Sequence, residues 1–197
     1  MNIKTRNILK KIIYVILFVL MIFAFIYLSE KYKDNSKEEV KTISNYYPEI
    51  NSDVFNVING TKLINVIKKD KSIIFIGSQT SRWSRQYIKE LNSIFQEIGL
   101  DKIYYYDINN DKAQKNSNYY EIRELLNGFL TSTDGSENNL LAPSFYIIDN
   151  GKVLYYNNDT VAMKNTTEIE DYWTEEQKKQ FAFEIKNAIN KYYLNKN

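Results

Sequence analysis

The chain of 197 residues contains no cysteine and no histidine. Without cysteine it can hold no disulfide, perform no thiol exchange and carry no lipoprotein anchor. Without histidine it lacks the usual base of a nucleophile–histidine triad, and the commonest zinc sites lack their ligands. Glycine and proline are scarce, at six and two residues, whereas Ile, Lys, Asn and Tyr abound, a bias that fits an AT-rich bacterial genome. Charge is nearly balanced, with 26 Lys and Arg against 24 Asp and Glu. Four of the cations, Lys4, Arg6, Lys10 and Lys11, lie at the start; beyond them 22 basic residues face 24 acidic ones, a charge of −2. That balance leaves no electrostatic footprint for nucleic acid.

What is present starts with an unbroken apolar run, Ile12 to Leu28. Its 17 residues stand at the short end of the range that spans a bilayer. Ile8 and Leu9 extend it past Lys10 and Lys11, whose stems can snorkel. Phe25, Ile26 and Tyr27 are too large to precede a signal-peptidase cut, so an uncleaved anchor is expected. Lys31, Lys33, Lys37 and Lys41 follow the run and match the leading cations in number. The leading group is denser and abuts the run, which predicts a cytoplasmic N-terminus and an extracytoplasmic domain at the cell membrane. The expected organisation is a basic tail over 1–11, one transmembrane helix over 12–28, a tether over 29–49 and a domain over 50–197. A domain of that size needs no disulfide or metal to hold its core.

Within the domain, periodicity changes from strand to helix several times. Val54 to Ile58 reads as an edge strand, and Thr61 as the N-cap of a short helix carrying Leu63, Ile64 and Ile67. Ser72 to Gly77 reads as a buried strand running into a helix over Arg82 to Ile98, with Tyr87, Leu91, Ile94, Phe95 and Ile98 inward and Gly99 as its stop. Lys102 to Ile108 is a third strand, rich in β-forming aromatics. Asn116 to Asn127 is predicted helical and ended by Gly128, followed by a polar loop over 129–141. Ser144 to Asp149 and Lys152 to Tyr156 form a hairpin about Asn150-Gly151, a type I′ signal. A loop over 157–173 leads to a capping box, Thr174 to Gln177, and a last helix carrying Phe181, Ile185, Ala188, Ile189 and Tyr192. The order β-α-β-α-β-α-β-β-α implies parallel strands with helices on both faces and an antiparallel hairpin at one edge.

That order, the turn in IIFIGSQTSRWSRQ and the proline opening APSFYIIDNGKV together resemble the thioredoxin fold. More narrowly, with KIYYYDI and DYWTEE, residues 50–194 look like the membrane-tethered thioredoxin-like proteins of Gram-positive bacteria, including bacteriocin-transport accessory proteins. The resemblance implies a three-layer α/β/α domain with a mixed central sheet. It places the family's two redox cysteines at Ser81 and Ser84, with Arg82 and Trp83 between, and its cis-proline at Pro143 after Ala142. A serine hydroxyl neither ionises there nor forms a disulfide, so the domain should lack thiol-disulfide activity.

Ser81 reads first as a helix N-cap. Arg82, Trp83 and Arg85 suit recognition of a peptide or carboxylate if the helix start is exposed; equally, Trp83 can pack under the 157–173 loop with the arginines in water. The Ala142-Pro143 loop, facing Ser81 to Ser84, can present backbone groups to an extended peptide. Gln79, Arg82, Trp83, Arg85 and Pro143 are therefore the candidate contacts with a protein or peptide partner. The alternative is a non-catalytic scaffold subunit beside a cysteine-bearing oxidoreductase or an export or bacteriocin system. No cofactor or metal is expected: Asp107 to Asp111 mimics the start of a calcium loop, but Lys112 replaces its glycine and Asn118 its glutamate.

Overall fold

The apolar run lies inside one helix, α1 (Ile3–Asp34), in the computed structural model of the chain. The structure describes residues 3–34, 41–131, 139–160 and 167–195, and within α1 the side chains of 11–27. Every large apolar side chain from Ile12 to Tyr27 is exposed. Among the described residues no helix is long and apolar enough to cross a membrane. The side chains of residues 1–10 and 28–40 lie outside the described residues, as do residues 35–40 of the expected tether and the centre of the 129–141 loop; residues 29–34 of that tether instead continue α1.

A second compact unit spans Lys41–Asn197. It begins earlier than the boundary expected at residue 50, because Ile43, Tyr47 and Ile50 bury their side chains in its core. A single 3-10 turn, Ile43–Asn45, starts this strap (residues 41–50). Its apolar residues recur at spacings of four and three, a helical signal overlooked among the surrounding charges.

Five strands follow: β1 (Phe55–Val57), β2 (Lys71–Gly77), β3 (Ile103–Asp107), β4 (Ser144–Asp149) and β5 (Lys152–Asn157). They form one mixed sheet in the order β1-β3-β2-β4-β5. β3 runs parallel to both β1 and β2, and β4 is antiparallel to β2 and β5. α2 (Gly60–Lys69), α3 (Arg82–Ile98), α5 (Ser117–Leu125) and α7 (Glu175–Ala188) flank it. Alternation along the strands divides the core. Ile73, Phe75, Tyr105, Phe145 and Ile147 join α3, α7 and the strap on one face. Ile74, Ile76, Tyr106, Tyr146 and Ile148 join α2 and α5 on the other. The result is a three-layer α/β/α arrangement in which β2 is buried on both faces, as its unbroken apolar run requires. Phe75 stacks on Tyr87 of α3 at 5.4 Å, fixing that helix over the sheet centre.

Several expected boundaries move. Asn59, not Thr61, caps α2, accepting a hydrogen bond from Lys62 N–H at 2.9 Å. The calcium-like run becomes a short helix, α4 (Asn109–Gln114). α5 ends at Leu125 and a 3-10 turn, Asn127–Phe129, absorbs Gly128 in place of a glycine stop. The 157–173 loop carries a short helix, α6 (Ile169–Tyr172). Thr174 caps α7 at 3.2 Å from Gln177 N–H, but the Gln177 side chain donates to the Tyr172 hydroxyl, so only half of the expected box forms. α3 runs over Arg82–Ile98 as expected, and Gly99 ends it in the left-handed conformation at φ 63°. Asn150 and Gly151 both have positive φ, 47° and 83°, as a type I′ turn demands.

Candidate functional site

Strand β2 ends at Gly77, a position with no room for a larger residue. A Cβ on Gly77 would lie 2.8 Å from the Tyr105 ring and 2.9 Å from the Tyr47 hydroxyl. The chain then turns through Ser78 to Ser81 into α3. Ser81 is the N-cap, its hydroxyl accepting Ser84 N–H at 3.2 Å. The Ser84 hydroxyl reaches back and accepts Ser78 N–H at 3.2 Å. Ser84 is fully buried, contrary to the exposed helix start expected, so only Ser81 of the two serines reaches solvent.

A buried polar network holds this turn from below. Asp107, at the end of β3, accepts Gln79 N–H at 2.7 Å and the Tyr105 hydroxyl at 3.0 Å on one oxygen, and Asn109 N–H at 2.9 Å on the other. The Tyr105 and Tyr47 hydroxyls share a hydrogen bond of 3.2 Å, and Tyr47 also bonds the Ser84 side chain. The Ser78 hydroxyl donates to Asn109 Oδ1 at 2.8 Å. Burial pushes the Tyr47 and Tyr105 phenols well above their ordinary pKa, and the Asp107 carboxylate adds to the rise in both. Both phenols are therefore fixed donors at neutral pH and not proton carriers.

The flanking residues are occupied by the chain itself. Arg82 donates to the Thr167 backbone carbonyl at 2.8 Å and pairs with Glu168 at 3.4 Å. Arg85 donates to both carboxylate oxygens of Glu49, at 3.0 and 2.9 Å. Trp83 is half-buried and meets Tyr172 edge-on at 5.9 Å, which places it beneath the end of the 157–173 loop. The Gln79 side chain is exposed. The Ala142–Pro143 bond is cis, Pro143 is buried and Ala142 half-buried. Ser144 pairs with Ile76 across the sheet, so Pro143 stands at the end where β2 leaves through Gly77. The strand–helix turn and the cis-proline thus share one end of the sheet.

Reading the sequence missed Tyr47, Glu49, Tyr105, Asp107 and Asn109 as parts of this end. Asp107 carried a signal, as a carboxylate closing a buried aromatic strand. Tyr47 carried only the four-three spacing of the strap. Among the described residues no group of three or more acidic, histidine or cysteine side chains is placed to hold a metal ion.

No family model matches the chain, and no curated protein matches it. A solved structure described as having a thioredoxin fold is similar over 53% of this chain and 85% of its own length, at 16% identity and a TM-score of 0.37.

Proposed function

We propose that this is a membrane-anchored, extracytoplasmic thioredoxin-like domain that binds a protein or peptide and has no thiol-disulfide activity. The observation that carries the reading is the Ala142-Pro143 loop standing at the same sheet end as the strand–helix turn. A loop with that geometry offers backbone groups to an extended chain. The two positions where an oxidoreductase of this shape needs thiols hold Ser81 and Ser84. Ser81 caps α3 and Ser84 is buried in the Tyr47 network, so both hydroxyls serve the fold. The apolar surface that α1 exposes supports anchoring, because such a surface is not left in water.

Three experiments test this. The purified chain should fail to reduce or isomerise disulfides in a model substrate; turnover would overturn the reading. A photocrosslinker at Gln79 should capture a discrete partner in membranes, whereas one at Asn150, at the far end of β4, should not. Equal capture from both positions would remove the proposed surface. Protease shaving of intact cells should digest residues beyond 41, and their protection would reverse the orientation.

A further inference from the structure

Arg85 stands over a fixed base. Its guanidinium carbon lies 5.9 Å from the Tyr47 ring centroid. That ring is fully buried and its hydroxyl is tied to Tyr105. The Glu49 carboxylate meets Arg85 Nη1 through both oxygens, and Lys89, one turn along α3, lies 3.9 Å from it. One carboxylate therefore sits between two cations above an immobile aromatic ring, the chemistry by which proteins receive an acidic group. Here the acidic group comes from the chain's own strap. The Glu49 side chain remains 29% exposed and that of Arg85 42%. An ion pair so open to water favours its closed arrangement by no more than about fivefold. Tyr47 and Ile50 on either side of Glu49 are buried, so the strap stays in place while the Glu49 side chain turns away through its own rotamers.

We propose that Arg85, Lys89 and the Tyr47 ring form a carboxylate receptor filled by Glu49, and that an acidic peptide segment enters by displacing it. The inference rests on the peptide-binding reading above and adds the chemistry of the segment recognised. Arg82 is a poorer receptor, because the Thr167 backbone carbonyl already accepts from its guanidinium at 2.8 Å.

The test uses the full chain in nonionic detergent, with fluorescein-labelled hexaglutamate and a neutral hexapeptide as probes in fluorescence anisotropy. Glu49→Gln should tighten hexaglutamate binding about sixfold, as the competent fraction rises from about one in six towards one. The neutral probe should not respond, and adding Arg85→Gln should abolish the gain. Glu121→Gln, which removes an acid paired with Lys68 on α2, should have no effect. Unchanged affinity in Glu49→Gln, a gain that survives loss of Arg85, or an equal gain from Glu121→Gln would each overturn the receptor. If hexaglutamate is ignored while crosslinking from Gln79 persists, the binding surface stands and the receptor falls; if both fail, both fall.

Discussion

Ser81 and Ser84 are three residues apart and chemically identical, yet the structure gives them unequal weight. Ser81 offers one capping oxygen at a half-exposed helix end, so Ser81→Ala should cost about 1 kcal/mol. Ser84→Ala leaves the Ser78 N–H without its buried partner and removes one of two partners of the Tyr47 hydroxyl, which keeps Tyr105, and should cost about 2 kcal/mol. Gly77→Ala drives a methyl group into the Tyr105 ring and the Tyr47 hydroxyl, and belongs with overpacked cores at about 1–3 kcal/mol. Urea denaturation of the three variants in detergent should rank Ser81→Ala as the mildest; equal losses at the two serines would contradict the burial of Ser84. The tyrosines carry a second expectation. Burial raises the folded pKa of Tyr47, Tyr87, Tyr105, Tyr106 and Tyr146 above the ordinary phenol value, and that of Tyr172 to about 12. As pH rises past about 10 the unfolded chain loses phenolic protons that the folded chain keeps. Stability contributed by these groups is therefore complete below about pH 10 and is lost on the way up to the folded values. With no histidine to titrate, stability should be flat from about pH 5 to 8. Phenolate absorbance followed alongside circular dichroism should show a large share of the 17 tyrosines ionising only together with unfolding.

At the scale of elements, the strap changes the account most. Ile43, Tyr47 and Ile50 are each 4% exposed or less. Burying three such side chains contributes on the order of 5 kcal/mol or more. A chain beginning at Lys41 should retain the stability of the second unit, whereas one beginning at Asn51 should lose several kcal/mol and expose apolar surface to a hydrophobic dye. An unchanged urea midpoint in the shorter chain would show that the strap only decorates the fold. The contrast with α3 explains what could be read in advance. Tyr87, Leu91, Ile94 and Phe95 bury one face of a long helix, and a serine cap and Gly99 mark its ends, so its limits were legible from local chemistry. β2, the Asn150-Gly151 turn and the position of Pro143 were legible for the same reason. The strap was not, because its three apolar residues are embedded among polar ones and their burial depends on the sheet they dock against. α4 was hidden because its six residues bury nothing, and no apolar period announces it. At the site, Ser81 as a cap was legible from sequence. The partners of Arg82 and Arg85 were not, since Thr167, Glu168 and Glu49 lie far from them in sequence and meet them only through the fold.

At the scale of the whole molecule, the two units divide the residue chemistry between them. The described side chains of α1 are apolar and exposed from Ile12 to Tyr27, while residues from Lys41 onward enclose two apolar cores, one on each face of the sheet. The second unit has its own core and should unfold in a single cooperative transition when produced as residues 41–197; two resolved calorimetric transitions would contradict this. A chain held at its N-terminal end and pulled at the other transmits tension into this unit through the strap before any strand feels it. Ile43 and Tyr47 then come away first, and with Tyr47 goes the hydroxyl that steadies Ser84 under the turn. Single-molecule pulling from a residue upstream of Lys41 should therefore show a small early extension that Tyr47→Ala removes, while the rupture of the sheet itself remains. In mechanical terms the strap is a fuse: tension on the N-terminal side loosens the start of α3 while the five strands are still joined.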